Sequence, residues 1–232
     1  MSPILECKNL IKNYGDTPAV NGLDLTVEPG RIVGLFGPKG SGKTTLLKLA
    51  AGLLTPNGGE LLIDGKTPGA ETKRITAFLP DKDGFNERDS VAGILRVYRD
   101  FYADFDERKA LAMLSDLGVE PKNKLADLSK GSVQKLRLSL TVSRAAKLYL
   151  LDDPVKSVDT ATLSYVLDSI VSGRPDNSSV IITSQTPSDV ERIIQDAAFI
   201  SAGRITRYAD AEKMRADNGK SVHALYTEEF KC

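Results

Sequence analysis

The chain has 232 residues, a length that suits one α/β domain or a core with a single inserted lobe. Lysine plus arginine equal aspartate plus glutamate at 31 each, so no overall charge field would attract nucleic acid or anionic lipid, and we expect no nucleic acid partner. Cys7 and Cys232 lie at opposite ends of the sequence, without the spacing of a disulfide framework or a metal site, so we expect neither. The sequence shows no signal peptide and no long apolar run, so we expect a soluble, cytoplasmic protein.

The first part of the chain is predicted to form short strands joined by turns. Residues 4–8 and 23–27 have strand patterns, and Asn21-Gly22 is a turn dipeptide between them. A second turn, Pro29-Gly30, leads into the apolar strand 32–36. We therefore expect a β-rich edge before the first helix, which is predicted over residues 45–54.

A phosphate-binding loop is predicted between that apolar strand and that helix. Its pattern, G-x-x-x-x-G-K-[ST], is met by Gly37, Pro38, Lys39, Gly40, Ser41, Gly42, Lys43 and Thr44. The glycines allow successive backbone N–H groups to turn inward around phosphate oxygens, and the helix adds the positive end of its dipole. We expect Lys43 to reach the terminal phosphates of a nucleotide and the Thr44 hydroxyl to ligate the Mg²⁺ that bridges them.

Residues 84–145 are predicted to form a helical insertion, after strands expected at 60–63 and 75–79. Apolar residues recur at helical spacing from Val91 to Tyr102, and Asp106 is the expected N-cap of a second helix that stops at Gly118. The aromatic stripe at 98–102 is expected in the core of this lobe, because its period matches one buried face.

Strand and helix patterns alternate after residue 145. Strands are predicted at 148–151, 180–183, 197–201 and 204–207. Helices are predicted over 160–171, with Asp159 as the cap, and from Ser188 onward, with Val190, Ile193 and Ile194 on one face. This alternation indicates a mostly parallel sheet covered by helices. The tail beyond residue 208 is polar and too short for a second domain.

Two carboxylates follow the strand predicted at 148–151. Asp152 comes directly after four apolar residues, which places it at the carboxyl end of a buried strand, where open α/β sheets bind ligands. Beside Lys43 and Thr44 it is predicted to be the Mg²⁺-side carboxylate of a nucleoside triphosphatase. In an arbitrary protein, Asp152 and Asp153 would instead indicate a surface turn before Pro154.

A second candidate anion site opens the apolar-periodic helix that follows Leu128. Ser129 and Gly131 would place a hydroxyl and an amide at a helix start, which is an arrangement that binds phosphate. One chain cannot easily bring both anion sites to one phosphate, so this site suits a nucleotide held by a partner. The pattern alone favours an ordinary helix cap, so both a helix cap and a phosphate site for a partner's nucleotide remain possible.

With these motifs in this order, the chain resembles the nucleotide-binding subunit of ATP-binding-cassette (ABC) transporters over nearly its whole length. Residues 37–44 match the Walker A motif, 128–134 the signature motif, 148–152 Walker B, and Ser157-Val158-Asp159 the D-loop. The resemblance implies an α/β fold, namely a P-loop NTPase core with a mostly parallel sheet, an antiparallel β edge and an inserted helical lobe. It also implies one nucleotide-binding domain over residues 1–232, with a RecA-like core at 1–83 and 146–232 and a helical subdomain at 84–145.

The resemblance also assigns roles to single residues. Tyr14 stands where the family has an aromatic side chain that stacks on adenine, and Thr44, Asp81 and Asp152 would hold Mg²⁺. The implied ATP-binding residues are Tyr14, Gly37, Pro38, Lys39, Gly40, Ser41, Gly42, Lys43, Thr44 and Thr45, with Ser129 and Gly131 on a partner's ATP. The stretches 101–106 and 79–81 resemble a Gram-positive branch related to the acetoin-type and bacitracin-type exporters.

Three positions depart from the family pattern, and all three belong to the hydrolytic machinery. Asp153 stands in place of the glutamate that polarises the attacking water, and Gln185 in place of the switch histidine that contacts the terminal phosphate. Asp81 replaces the Q-loop glutamine, although a carboxylate can still ligate Mg²⁺ there. The single histidine, His223, is expected to be structural or solvated. Catalysis by Asp153 and Gln185 is therefore expected to be slow.

The resemblance implies an ATP-driven motor subunit, in which two such subunits sandwich two ATP molecules and their closure moves a membrane-spanning subunit. Such a subunit would lie on the inner face of the cell membrane. One alternative is a degenerate ATP-binding regulatory subunit whose catalytic partner is a different chain. Another is a soluble ABC-type protein that acts on ribosomes or DNA, which the zero net charge disfavours.

Overall fold

The computed structural model describes residues 2–81, 84–156 and 158–230. The strands are β1 (Leu5–Tyr14), β2 (Thr17–Val27), β3 (Ile32–Phe36), β4 (Gly58–Ile63), β5 (Thr76–Leu79), β6 (Leu148–Asp152), β7 (Ser179–Ser184), β8 (Asp196–Ser201) and β9 (Arg204–Asp210). The helices are α1 (Lys43–Ala50), α2 (Ala70–Ile75), α3 (Val91–Phe101), α4 (Glu107–Asp116), α5 (Lys130–Val142), α6 (Thr160–Ser172), α7 (Ala211–Asn218) and α8 (Val222–Phe230). No helix in these described ranges has the length and apolar character needed to span a membrane.

Two sheets organise the molecule. The larger has the strand order β5-β6-β7-β3-β8-β9 and is parallel except for β9, which runs antiparallel to β8. The smaller sheet has the order β2-β1-β4 and is antiparallel. The predicted mostly parallel sheet with an antiparallel β edge is therefore confirmed. Because β6, β7 and β3 are parallel neighbours, their carboxyl ends meet at one edge, where ligands of such sheets bind.

The central strands are buried on both faces. Every residue of β3, β6 and β7 is buried, as expected for parallel strands with helices on either side. One apolar cluster packs α5, α6 and α8 against the sheet, and a second packs α1 and the antiparallel strands against its other face. A third is built from residues between 91 and 140, inside the predicted lobe. Met113 of α4 and Leu138 of α5 belong to the first cluster, so these helices join the lobe to the sheet.

Side-chain caps define the starts of two predicted helices. The Asp106 carboxylate accepts a hydrogen bond from the Lys109 N–H at 3.0 Å, at the start of α4. The Asp159 carboxylate accepts one from the Thr162 N–H at 2.9 Å, at the start of α6. Each satisfies an N–H that the first helical turn leaves without a partner. Both predicted caps are confirmed.

The turn predicted at Asn21-Gly22 is wrong. The dipeptide lies inside β2, where Gly22 has a φ of 66° and the pairing with β1 changes register between Leu10 and Ile11. The β1–β2 turn lies instead at Gly15, which has a φ of 57°. Glycine at 22 therefore supplies the left-handed conformation of a bulge rather than that of a hairpin turn.

The helix predicted from Ser188 is also wrong. The chain forms a 3-10 turn at Pro187–Asp189 and then further turns, one of which joins the Ile193 N–H to the Val190 carbonyl at 3.1 Å. Val190, Ile193 and Ile194 are buried in the first apolar cluster, as their apolar character requires. The apolar spacing at these positions therefore reflects burial of successive turns and not a regular helix.

Other boundaries differ because of local turns. α1 ends at Ala50 rather than at residue 54, since the chain reverses at Gly52, which has a φ of 66°. The short helix α2 was not predicted, and β5 consequently begins at Thr76. Within the predicted aromatic stripe, Tyr98 packs against the lobe core whereas the Phe101 side chain is 79% exposed. The prediction of a buried stripe is thus wrong at Phe101.

The polar tail contains two helices that the sequence analysis missed. Val222, Leu225 and Tyr226 of α8 are buried against the first cluster. Their i, i+3, i+4 spacing is the signal that would have predicted this helix. His223 lies on the same helix; its backbone N–H donates to the Glu191 carboxylate at 3.2 Å, and its Nδ1 is buried without a hydrogen-bond partner among the described residues.

Candidate functional site

The loop after β3 is shaped by glycine and closed by Lys43. Gly42 has a φ of 110°, and a side chain there would bring a Cβ within 2.4 Å of the Ala19 carbonyl oxygen. The Lys43 Nζ donates hydrogen bonds to the carbonyls of Gly37 at 2.5 Å and Pro38 at 2.9 Å. Burial lowers the pKa of Lys43, and nearby carboxylates oppose that shift. The ammonium group is thus held across the loop, at the amino end of α1.

A cavity of about 670 Å³ opens over this loop. It is lined by residues 39–45, Asp81, Asp152, Asp153 and Gln185, together with Ala19, Lys156, Thr183 and Ser184. The structure therefore brings the predicted loop residues, the predicted carboxylates and Gln185 into one place. Gly37 and Pro38 do not line the cavity, and they contribute to it through their hydrogen bonds to Lys43.

Asp152 is the last residue of β6 and is buried. Its Oδ1 accepts a hydrogen bond from the Thr183 hydroxyl at 2.9 Å, because the β6–β7 register places the two residues side by side. Its Oδ2 is buried and has no hydrogen-bond partner among the described residues. Together with the Thr44 hydroxyl, which lines the same cavity, this oxygen fits Mg²⁺, which prefers oxygen ligands and binds through one or two carboxylates plus substrate phosphates.

Asp153 is held in an unusual backbone conformation by its neighbours. Its φ of 55° lies in the left-handed region, which aspartate tolerates better than most residues. Its N–H donates to the Thr183 Oγ1 at 2.9 Å, and its Oδ2 accepts a hydrogen bond from the Gln185 Nε2 at 3.0 Å. Burial raises the pKa of Asp153, and the hydrogen bond from Gln185 opposes that shift. Two of the three residues that depart from the family pattern, Asp153 and Gln185, are thus in direct contact.

Four residues that line the cavity were not predicted, namely Ala19, Lys156, Thr183 and Ser184, and two of them make contacts that matter for the site. Thr183 binds both Asp152 and the backbone of Asp153, so it positions the carboxylate pair. Lys156 forms an ion pair with Asp81, with 2.7 Å between Nζ and Oδ1. A lysine three residues after an aspartate pair was the available signal for Lys156, whereas Thr183 could be found only from the strand order.

A buried network connects α5 to the loops that carry the carboxylates. The Gln134 Nε2 donates to the Pro154 carbonyl at 3.0 Å, and its Oε1 accepts from the Arg137 Nη1 at 2.8 Å. The same Arg137 nitrogen donates to the Asp81 carbonyl at 3.3 Å. The start of α5 is therefore joined to the loops after β5 and β6 through side chains of its own second and third turns.

The remaining predicted residues lie outside the cavity lining. Tyr14 is 51% exposed, at the end of β1. Ser129 is exposed and caps α5 by accepting a hydrogen bond from the Ser132 N–H at 3.1 Å, and Gly131 lies in the first turn of that helix. The helix-cap interpretation of Ser129 is confirmed. In the predicted D-loop, Asp159 caps α6, and Ser157 lies outside the described residues.

Comparison with known proteins identifies the family. A family model described as ABC transporter matches residues 20–156, which is more than half of the chain. The ABC transporter ATP-binding protein YtrB of Bacillus subtilis is 27% identical over 230 residues, which cover 97% of this chain and 78% of that protein. The Nod factor export ATP-binding protein I of Cupriavidus pinatubonensis is 29% identical over 212 residues, which cover 88% of this chain and 65% of that protein.

Solved structures show the same fold. The ATP-binding subunit of an ABC transporter superposes with a TM-score of 0.86 at 24% identity, covering 97% of this chain and 98% of that one. A dimeric ATP-binding cassette in a post-hydrolysis state, bound to ADP and Pi, superposes with a TM-score of 0.76 at 19% identity, covering 89% of this chain and 98% of that one. The chain therefore belongs to the ABC transporter family, as an ATP-binding cassette with the P-loop NTPase fold.

Proposed function

We propose that this chain is the ATP-binding subunit of an ABC transporter, which binds Mg-ATP in a dimer sandwich and hydrolyses it slowly to drive a membrane subunit. The observation that carries the proposal is the single cavity that joins the glycine loop, Lys43 and Thr44 to the buried carboxylate of Asp152. Loop amides and an ammonium group suit a phosphate chain, and the hydroxyl and carboxylate oxygens suit the Mg²⁺ that accompanies it.

We assign roles to the predicted residues. The loop 37–45, including Lys43, binds the phosphates; Thr44, Asp81 and Asp152 hold Mg²⁺; and Tyr14, outside the cavity lining, stacks on the base. Asp153 is the acceptor for the proton of the attacking water, since its carboxylate lines the cavity and burial raises its pKa above the usual range. Gln185 donates a hydrogen bond from its side-chain amide to the Asp153 carboxylate. This hydrogen bond orients the carboxylate, but the amide supplies no positive charge.

We also propose that two cassettes bind two ATP molecules between them. Ser129 and Gly131 start α5 at an exposed surface outside the lining of the nucleotide cavity, so their hydroxyl and amide would reach a phosphate held by another chain. The dimeric cassette with ADP and Pi supports this arrangement for the family. Sedimentation should show a monomer without nucleotide and a dimer with a non-hydrolysable ATP analogue. A monomer at saturating nucleotide would indicate a heteromeric partner instead.

The membrane subunit is proposed to contact the surface between the lobe and the sheet. A groove of about 480 Å³ there is lined in part by Leu53, Phe78, Phe85, Tyr98 and Tyr102. Leu53 is 56% exposed, and exposed apolar side chains beside a groove suit contact with another protein. Such a contact would hold the chain at the membrane, and we propose that it lies on the inner face; the name of the related Nod factor export ATP-binding protein supports a role in transport.

A second candidate function is that of a regulatory cassette. It is favoured by the contact between Asp153 and Gln185, because the two altered positions satisfy each other in the structure. Phosphate release by the purified chain, alone and mixed with a cassette encoded beside it, separates the two functions. A motor releases phosphate by itself, whereas a regulatory subunit alters only the release by its partner.

ATP binding itself is tested with Lys43→Ala. Titration with a fluorescent ATP analogue should show binding weakened by at least about tenfold, because the variant loses the ammonium group that the loop carbonyls hold over the cavity. Lys48→Ala is the matched control, since Lys48 lies on the same helix but lines the groove beside the lobe. Equal affinity of Lys43→Ala and the unaltered chain would refute the assignment of the loop.

A further inference from the structure

Lys156 is a cation of the nucleotide cavity that no motif of the sequence assigns. It lies in the turn that follows β6, where its N–H donates to the Asp153 carbonyl at 3.2 Å. Its Nζ lies 2.7 Å from the Asp81 Oδ1, and the two side chains are 50% and 33% exposed. Because the pair lines the cavity and stays open to solvent, either partner can exchange the other for a ligand.

The topology places Lys156 at one end of the cavity. Ala19 of β2 lines the opposite end, where β2 lies against Gly203 and the turn between β8 and β9. Tyr14, the proposed base contact, belongs to the β1–β2 hairpin on that same side. The loop after β3 lies between, since the strand order runs β6-β7-β3-β8. A nucleotide that stacks its base on Tyr14 and lays its phosphates along the loop therefore directs its terminal phosphate toward Lys156.

The charges at that end of the cavity favour a further cation. Asp81, Asp152 and Asp153 all line the cavity there, and Gln185 is uncharged. Lys43 also lies near Asp152 and Asp153, but its Nζ is hydrogen-bonded to the carbonyls of Gly37 and Pro38. Without Mg²⁺, a terminal phosphate that approaches these carboxylates is repelled, and a further positive charge nearby weakens that repulsion. Lys156 lines the cavity beside these carboxylates and supplies such a charge.

We propose that Lys156 contacts the terminal phosphate of ATP. Before the nucleotide binds, Asp81 holds the Lys156 ammonium group in place. When ATP binds, the ammonium group leaves the Asp81 carboxylate and pairs with the phosphate. The proposal rests on the proposed function, because it takes the cavity to be an ATP site. It makes Lys156 a residue that distinguishes ATP from ADP, and it gives the site the positive charge that Gln185 lacks.

The test measures nucleotide affinity in low-salt buffer with EDTA, using fluorescent ATP and ADP analogues. Lys156→Gln should weaken binding of the ATP analogue by about tenfold and of the ADP analogue by less than about twofold, because only ATP carries the terminal phosphate. Lys147→Gln is the matched control, since Lys147 precedes β6 and pairs with Asp64 at 2.8 Å on the outside of the cavity. It should leave both affinities unchanged.

A double-mutant cycle tests the exchange. Without metal, Asp81→Asn should strengthen binding of the ATP analogue several-fold in the unaltered background and by a clearly smaller factor in the Lys156→Gln background, where only the direct repulsion by Asp81 is relieved. Equal losses for ATP and ADP, no loss in Lys156→Gln, or an Asp81→Asn effect independent of Lys156 would each overturn the proposal. The proposed function fails separately, since a false ATP site would show as unchanged affinity in Lys43→Ala. Thermal unfolding of each variant confirms that it is folded.

Discussion

The contact between Asp153 and Gln185 makes a quantitative prediction about the rate of hydrolysis. The Gln185 Nε2 lies 3.0 Å from the Asp153 Oδ2, so the amide binds the carboxylate that is proposed to accept the proton of water. Asp153→Glu extends that carboxylate by about 1.5 Å, one carbon–carbon bond. A displacement of about 1 Å in an active site changes rates by up to about a hundredfold. Geometry therefore outweighs basicity, since aspartate and glutamate differ by only about 0.4 pKa units.

The double variant Asp153→Glu with Gln185→His should raise kcat by at least about tenfold, which corresponds to a barrier lower by about 1.4 kcal/mol. Histidine can supply a charge at the terminal phosphate, which the amide of Gln185 cannot. Because the two side chains touch, the effects of the single variants should not add. ATP affinity should stay within a few-fold, since neither residue belongs to the glycine loop.

The assay is phosphate release at saturating Mg-ATP, repeated over a range of protein concentrations so that dimer formation does not limit the rate. Thermal unfolding is measured alongside, because glutamate at a φ of 55° is less well tolerated than aspartate. If the unaltered chain already releases phosphate at several per second, a typical enzyme rate, then Gln185 orients the water adequately and the reasoning is refuted.

Two further predictions concern stability. Arg144 is 5% exposed, and it donates hydrogen bonds to both carboxylate oxygens of Asp104 and to the carbonyls of Thr76 and Arg74. Because Arg144→Met leaves these groups without their partner, it should lower the free energy of unfolding, measured in urea, by about 3–5 kcal/mol. The exposed Arg99, which pairs with Asp100 and Glu107, is the control, and equal losses in Arg99→Met and Arg144→Met would contradict this. Burial raises the pKa of Asp153, so the folded protein favours the neutral form of this side chain. The resulting contribution to folding stability is present when the pH is below the ordinary pKa of 3.8, and it is lost as the pH rises through the raised pKa. Asp153→Asn should therefore unfold at a higher temperature than the unaltered chain at pH 7 and at the same temperature below pH 3.8, whereas a difference independent of pH would indicate another cause.

The sequence predicted those parts of the site that depend on local chemistry. The glycine loop is recognisable because its left-handed and closely packed positions admit only glycine, as Gly42 shows. Asp152 could be placed because an apolar run that ends in a carboxylate marks the end of a buried strand. The caps Asp106 and Asp159 follow from side chains that bind the N–H groups of their own first turn.

The tertiary structure alone decided which side chains meet. Thr183 binds the Asp152 side chain and the Asp153 backbone because β6 and β7 are neighbours, and Lys156 pairs with Asp81 because β5 lies on the other side of β6. The predictions at Asn21-Gly22 and after Ser188 are wrong for the same reason. Pairing with β1 keeps Asn21-Gly22 inside β2, although the dipeptide is a turn signal. Burial of Val190 determines the backbone after Ser188, although the apolar spacing there predicts a helix. These contacts join residues that are far apart along the chain, and a local sequence pattern does not determine which strands lie side by side.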